Sequence, residues 1–320
     1  MAILVTGGAG FIGSHLIDAL LEKGHDVRCI DNFSSGRREF IEGSMNKGLE
    51  LIEGDLLNRD DIKKALEGCD TVFHLAANPD VRLGTEDTHV HLEQNIIATY
   101  NLLEEMRKAG VKKIAFTSSS TVYGDADEIP TPENYGPLIP ISLYGASKLA
   151  AEGLIASYCH TFDMQSVIYR FANVVGPRST HGVTYDFIKK LGKNGNELEI
   201  LGDGSQKKSY LYISDCIDAM LFGMWGGGGG TPEKVEIFNI GSEDWVDVRR
   251  IADVVSGEMN LSPEYRFTGG VDGGRGWKGD VKIMRLSIEK LRNMGWQPEY
   301  GSEEAIRMTA RWLISNLSNL

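Results

Sequence analysis

The 320-residue sequence predicts an α/β fold, a Rossmann-type doubly wound parallel sheet with a smaller mixed α/β region on its C-terminal side. Three observations predict it. Apolar, β-branched runs alternate with helical periodicity through about the first 170 residues, the pattern of a parallel sheet covered by helices on both faces. The first run enters a glycine-rich loop that leads into a helix. After residue 172 the alternation weakens, and Gly and Pro become common.

The elements follow in order. Ala2–Val5 is a short apolar run ahead of glycines and reads as a buried strand. Phe11–Lys23 has apolar residues at helical spacing and stops at Gly24. Asp26–Ile30, Leu49–Glu53 and Thr71–Leu75 are the second, third and fourth strands, with a helix at Asp60–Glu67 ended by Gly68. Glu86–Ala109 reads as one long helix ended by Gly110, Lys113–Thr117 as the fifth strand, Ser142–His160 as another long helix and Gln165–Phe171 as the sixth strand. The run WGGGGGTPEK (225–234) reads as an exposed flexible loop.

Composition narrows the function. A hydrophobic content of 42% is ordinary for a globular chain. The net charge of −12 argues against nucleic-acid and anionic-membrane partners. The N-terminus, MAILVTG, lacks the parts of a signal peptide, and no apolar run reaches 18 residues. The four cysteines, Cys29, Cys69, Cys159 and Cys216, are dispersed and form no C-x-x-C pair. They read as reduced thiols of a cytoplasmic protein.

In TGGAGFIG, Gly7, Gly10 and Gly13 stand at i, i+3 and i+6 between the first strand and the first helix. Glycine lets backbone turn tightly and approach a pyrophosphate with no Cβ in the way, and the helix N-terminus offers free N–H groups. Asp31 ends the second strand 18 residues after Gly13. A carboxylate there hydrogen-bonds the adenosine ribose and repels a 2′-phosphate, which favours NAD over NADP. Arg37 and Arg38 argue the other way but lie beyond the strand. Asp55 and Leu56 follow the third strand and read either as the wall of an adenine pocket or as a simple turn.

SLYGASK (142–148) sets Tyr144 and Lys148 four apart on one helix face. The pattern alone is weak: with 11 tyrosines and Lys at roughly one position in twenty, about half a match arises by chance. Tyr185 and Lys189 make a second match. Context separates them. The fifth strand ends in FTSSSTVYG (116–124), which sets hydroxyls at the C-terminal edge of a parallel sheet, where ligands bind. Tyrosine, with a pKa near 10, needs nearby positive charge to act as a base, and a serine can share the proton. No such strand precedes Tyr185.

Other features read as structural. His74 falls in a strand and reads as a core or cofactor-adjacent residue. His89 and His91 are two apart and face different ways on a helix. No Cys or acid pair stands at metal-ligand spacing, and Ser118–Ser120 form no G-x-S-x-G elbow. EDTHVHLE (86–93), SPEY (262–265) and GSEE (301–304) read as solvated faces and turns.

Taken together, TGGAGFIG (6–13), DNFSSG (31–36), GDL (54–56), FHLAA (73–77), SSSTVYG (118–124), YGASK (144–148), RFANVVGPR (170–178), LGDGSQKKSYLYISD (201–215) and RGWKGD (275–280) resemble the extended short-chain dehydrogenase/reductase family. The match covers essentially the whole chain and is nearest to nucleotide-sugar epimerases of the UDP-glucose 4-epimerase type. The resemblance implies an NAD-binding domain over 1–172, with segments of about 208–240 returning to it. The remainder, 173–320, is then mainly a nucleotide-sugar-binding region. It implies Tyr144 as base, Lys148 on the nicotinamide ribose and Ser119 at the catalytic Ser/Thr position. Cofactor contacts are implied at Gly7, Gly10, Phe11, Ile12, Gly13, Asp31, Asn32, Ser34, Ser35, Gly36, Asp55, Leu56, Leu75, Ala76, Ala77, Asn95, Tyr144 and Lys148. Substrate contacts are implied at Val81, Ser119, Tyr144, Asn173, the loop around Val183, Thr184, Tyr185 and Phe187, and at Lys208, Arg275 and Asp280. The helices 86–109 and 142–160 are implied as a homodimer interface.

The implied reaction is inversion at C4 of a UDP-hexose through a 4-keto sugar, on tightly held NAD. The alternatives are epimerisation of another nucleotide sugar, a reductase that uses NAD(P) once and releases product, and a non-catalytic NAD-binding sensor, which would not need Ser119, Tyr144 and Lys148. Ser119-Ser120-Thr121 replaces the Thr-Asp-Glu of the dehydratase branch, which disfavours 4,6-dehydration. Three features depart from the pattern. Lys208 stands where an arginine is common, giving a point charge in place of a fork. Arg275 precedes Asp280 by five where three is usual, and Met284 falls at the gate beside the sugar.

Overall fold

The computed structural model describes residues 2–226 and 234–316. The run expected as a flexible loop, 225–234, falls largely outside them. In chain order the elements are β1 (Ala2–Thr6), α1 (Phe11–Glu22), β2 (Val27–Asp31), α2 (Glu42–Met45), β3 (Glu50–Glu53), α3 (Arg59–Leu66), β4 (Cys69–His74), α4 (Ala98–Ala109), β5 (Lys113–Ser119), α5 (Leu143–Phe162), β6 (Gln165–Phe171), β7 (Asn173–Val175) and α6 (Val183–Lys193). There follow β8 (Glu197–Ile200), β9 (Lys207–Lys208), β10 (Tyr210–Tyr212), α7 (Ile213–Trp225), β11 (Val235–Ile240), β12 (Val246–Asp247), α8 (Val248–Glu258), β13 (Glu264–Phe267), β14 (Ile283–Met284), α9 (Glu289–Met294) and α10 (Ser302–Ser315).

The main sheet has seven strands in the order β11-β6-β5-β4-β1-β2-β3. β1 pairs in parallel with both β2 and β4, so the order reverses there. That reversal is the topological switch point at which α/β sheets bind ligands. Gly24, Gly68 and Gly110, read as helix stops, all take a left-handed backbone after α1, α3 and α4, as a C-terminal cap requires.

The chain divides into two compact units. The first comprises 1–122, 143–170 and 220–238, and the second 123–142, 171–219 and 239–320. The returning segment is thus 220–238 rather than 208–240, and 123–142 groups with the second unit. The core of the first unit gathers Leu4, Ile30, Val72, Leu102, Ile114 and Ile155, from sheet and covering helices. The second unit has its own core, including Phe187, Leu198, Ile251, Val255 and Ile306. All four cysteines are buried and free. Among the described residues no helix is long and apolar enough to cross a membrane.

Three sequence expectations need correction. The helix expected over 86–109 starts at residue 90, and Leu92–Ile97 is a π-helical stretch ahead of α4. The Asp87 carboxylate accepts the His89 N–H at 2.9 Å and holds that segment in a turn. Within the π stretch, the Asn95 side chain reaches out of the helix. Its Oδ1 accepts the Asn78 N–H at 2.8 Å, and its Nδ2 donates to Ser147 Oγ at 2.9 Å. Secondly, Val183–Phe187, expected as a loop, is the first turn and a half of α6, because Tyr185, Phe187, Ile188 and Leu191 make one apolar face for the core. Thirdly, the polar stretches hide buried groups: His91 is enclosed, and Ser302 is fully buried at the start of α10. Ser302 Oγ accepts the Tyr210 N–H at 3.0 Å and donates to Asp244 Oδ1 at 2.7 Å. Ser302→Ala removes that acceptor and leaves the Tyr210 N–H enclosed. A loss of ~1–3 kcal/mol is expected, read as a lower urea midpoint.

Candidate active site

The first unit carries the glycine loop. Gly7 has φ of 68°, and a Cβ on it would stand 2.7 Å from the Ala76 backbone. A Cβ on Gly13 would stand 2.3 Å from the Gly7 carbonyl oxygen. Loop and helix therefore approach so closely that no side chain fits, and the α1 backbone is exposed to a ligand at its N-terminus. Gly10 is the residue preceding α1, with Phe11 and Ile12 opening it.

Asp31 closes β2 and is 8% exposed. Its carboxylate accepts N–H groups from Ala9 and Phe33, at 2.9 and 2.8 Å. Burial raises its pKa and these two N–H bonds oppose the rise. Gly36 packs against it, since a Cβ there would lie 2.8 Å from Asp31 Oδ1. Arg38 is paired with Glu53 at 2.6 Å and Arg37 lies 3.5 Å from Glu39. Both arginines thus have carboxylate partners of their own. Asn32 donates to Asp55 at 2.8 Å, and the Asn32 amide oxygen accepts the Ser34 N–H, folding the segment that also bears Ser35. Asp55 lies beyond the end of β3, followed by buried Leu56. Leu75 and Ala76 follow β4 and donate their N–H groups to Thr6 Oγ1 at 3.2 Å each, ahead of Ala77. His74, fully enclosed, bridges the Thr6 and Thr99 hydroxyls, at 2.8 and 2.9 Å. Burial, with Lys148 adding, pushes its pKa down to about 3, so His74 is a neutral strut. Asn95 ties the segment after β4 to α5, as described above, and Val81 lies between that segment and the π stretch.

The acid–base group is assembled by β5 and α5. Ser119 is the last residue of β5, and Tyr144 and Lys148 lie on the first turns of α5. The Ser119 hydroxyl donates to the Tyr144 phenol, and Ser119 Oγ itself accepts from the Thr121 N–H and hydroxyl, at 3.2 and 3.0 Å. Burial pushes the phenol up to about 12, with the Ser119 bond opposing. Lys148 Nζ donates to the Thr117 carbonyl at 2.9 Å and lies 5.8 Å from the Tyr144 ring centroid. Burial pushes the ammonium down to about 8, with Glu152 opposing. The enclosed His91 ring meets Tyr144 edge-on at 5.7 Å, whereas His89 is exposed. The competing pair, Tyr185 and Lys189, also shares a face, but Tyr185 is packed in the core of the second unit.

The second unit holds a separate charged cluster. Lys208 Nζ donates to Asp280 Oδ1 at 2.6 Å. Arg275 donates to the Asp280 carbonyl at 2.5 Å and grips both oxygens of Asp125, at 3.0 and 2.8 Å. The wide spacing in RGWKGD is absorbed by a fold-back that brings Lys208, Arg275 and Asp280 together. Asn173 opens β7 and donates through Nδ2 to the Ser209 carbonyl at 3.3 Å. On α6, Thr184 and Tyr185 are buried while Val183 is half-exposed. Met284 is buried and pairs in register with Lys208. No group of three or more His, Cys, Asp or Glu side chains among the described residues is arranged to hold a metal ion.

Sequence reasoning missed Glu152, Arg170 and Asp125. Glu152 was within reach, because it continues the Tyr144–Lys148 face by one more turn. Asp125 meets Arg275 across 150 positions, and no local pattern announces it.

Comparison with known proteins gives the family. Residues 3–241 match the NAD dependent epimerase/dehydratase family. A solved UDP-galactose 4-epimerase is 46% identical, with a TM-score of 0.87 over 99% of this chain and 100% of that one. UDP-glucose 4-epimerase of Mycolicibacterium smegmatis is 33% identical over 98% of both chains. UDP-glucuronate 4-epimerase of Thermodesulfobacterium geofontis is 28% identical over 98% of this chain and 96% of its own. With a match across three quarters of its length, the chain belongs to the NAD dependent epimerase/dehydratase family.

Proposed function

We propose that this family member is a UDP-glucose 4-epimerase, interconverting UDP-glucose and UDP-galactose through a 4-keto sugar. The observation that carries the reading is the Ser119–Tyr144–Lys148 group, a phenol bonded to a strand-end hydroxyl and flanked by a buried ammonium. NAD, when bound, supplies the hydride acceptor and donor for the sugar carbon and a positive charge beside the phenol. The cradle Gly7–Gly13, Asp31 and Lys148 would hold it. With its pKa near 12 in the free chain, Tyr144 rests as a phenol. Added positive charge lowers that value, so the base forms when the cofactor is in place. Tyr144 then takes the proton of the C4 hydroxyl and returns it after the sugar presents its other face, and Ser119 holds the same oxygen. Lys208, Arg275 and Asn173 are assigned to the nucleotide sugar, with Lys208 and Arg275 as phosphate partners.

The absence of carboxylates at Ser120 and Thr121 supports epimerisation over 4,6-dehydration. We assign the cytoplasm as the setting, in keeping with four free, buried thiols. We also assign a homodimer through α4 and α5 and the helical turn before α4. Leu92, Ile97, Tyr100 and Leu143 are exposed on these helices, and a row of large apolar side chains on one region marks an interface. Ile97→Glu is expected to halve the sedimenting mass; an unchanged mass would count against this interface.

The direct test is UDP-galactose mixed with purified protein and no added cofactor, followed by NMR of the anomeric proton. UDP-glucose is expected to appear, which requires both resident NAD and inversion at C4. If nothing changes while NAD is released on denaturation, the substrate is another nucleotide sugar. If neither is seen, the single-turnover reductase gains. Tyr144→Phe is expected to lower kcat by roughly 10²–10⁴ while NAD stays bound, and full activity in that variant would overturn the assignment.

A further inference from the structure

Beneath Lys148 lies a set of buried charges that the acid–base reading does not use. Lys148, Glu152 and Arg170 are all within 5% of full enclosure. Glu152 sits one helical turn beyond Lys148 on α5, so it faces the ammonium. It is nevertheless claimed from the other side. Arg170, on β6, donates to Glu152 through Nε at 3.0 Å and Nη2 at 2.7 Å, and Ser118 Oγ donates to Glu152 at 2.5 Å. Lys148 Nζ is bonded instead to the Thr117 carbonyl. One carboxylate therefore stands between two cations, and the trio carries a net charge of +1. The other titratable groups around Lys148 are Tyr144 on α5, His74 on β4 and His91 beside Tyr144. Burial lowers the pKa of both histidines, His74 to about 3, while Asp80 and Asp87 oppose the fall at His91.

We infer that Arg170 is a positioning residue for the acid–base group: by holding Glu152 in a two-point ion pair it keeps this carboxylate from neutralising Lys148, and so preserves the positive charge that acts on Tyr144. The inference rests on Tyr144 being the base. Its logic is that of charge counting. Without Arg170, Glu152 pairs with Lys148 and the local charge falls to zero. The phenol then loses the field that favours its ionised form. Glu152 has the opposite effect, since its loss removes the only carboxylate of the trio. Replacing both neutralises one charge of each sign and returns the count to +1. Swapping a buried pair for neutral groups of like shape is tolerated far better than breaking it.

The test reads Tyr144 itself, without substrate. Protein labelled with ¹³C at the tyrosine ζ carbon is titrated in its NAD-loaded form, and the Tyr144 signal is assigned by its loss in Tyr144→Phe. In Arg170→Gln the Tyr144 pKa is expected to rise by about one unit, and kcat to fall while KM stays near its original value. In Glu152→Gln/Arg170→Gln the Tyr144 pKa is expected to return to the wild-type value, though kcat stays lower. Should Arg170→Gln not fold, Arg170→Lys keeps the buried charge but cannot hold both oxygens, and a smaller rise is expected. A Tyr144 titration that overlays the wild type in Arg170→Gln or Arg170→Lys would overturn the inference, as would a double variant as far displaced as Arg170→Gln. Because the signal is read without turnover, failure here is distinguishable from failure of the epimerase reading, which Tyr144→Phe activity decides.

Discussion

The enclosure of one ammonium group organises the first unit around its chemistry. A lysine head group is costly to bury unless its donors are used and its charge is answered. Lys148 donates to the carbonyl of Thr117 and lies one helical turn from Glu152, but Arg170 holds that carboxylate, so part of the cost stays and the ammonium is pushed down to about 8. The donor bond ties α5 to the end of β5, and that tie places Tyr144 beside Ser119. Ser147, the neighbour of Lys148, ties the same helix to Asn95 in the π stretch. The position of the phenol is thus fixed from two directions by polar contacts, while Ile155 and Cys159 anchor the later turns of α5 in the core.

The parallel sheet explains why these contacts converge. Its strands present their C-terminal ends on one edge, and the chain leaves each end through a short loop. Thr6 and His74 end their strands, and Thr117 lies two residues before the end of β5. The His74 ring links the Thr6 hydroxyl to Thr99 on α4, and the Thr117 hydroxyl donates to the His74 carbonyl. A neutral His74 linking Thr6 and Thr99 is a polar joint without charge. That suits a position close to Lys148, where a second cation would be repelled.

Much of this was legible in the sequence. Strand runs of β-branched residues and glycine stops gave the first six strands to within a few residues, because both signals are local. Asp31 and the spacing of Tyr144 and Lys148 were readable for the same reason. What escaped depends on contacts made at long range. The helix expected over 86–109 is periodic enough to read as regular, yet Asn95 is pulled out of register by Asn78 and Ser147. The resemblance implies a loop around Val183–Phe187, and the packing of Tyr185 and Phe187 in the core reveals the helix. Ser302 looks like a solvated turn until Tyr210 and Asp244 close over it. The Lys208–Asp280 and Arg275–Asp125 pairs join segments tens of residues apart.

The four thiols carry a different consequence. Burial raises every one of them, Cys29 to about 12 and the fully enclosed Cys216 further still. Thiolate, not thiol, is the form that attacks electrophiles and oxidants. At neutral pH burial therefore holds these four thiols in their unreactive protonated form. Peroxide and alkylating reagents meet these groups only when the surrounding strands and helices part. The cysteines are placed so that their reactivity counts openings of the core, giving each region of the molecule its own chemical clock for local unfolding.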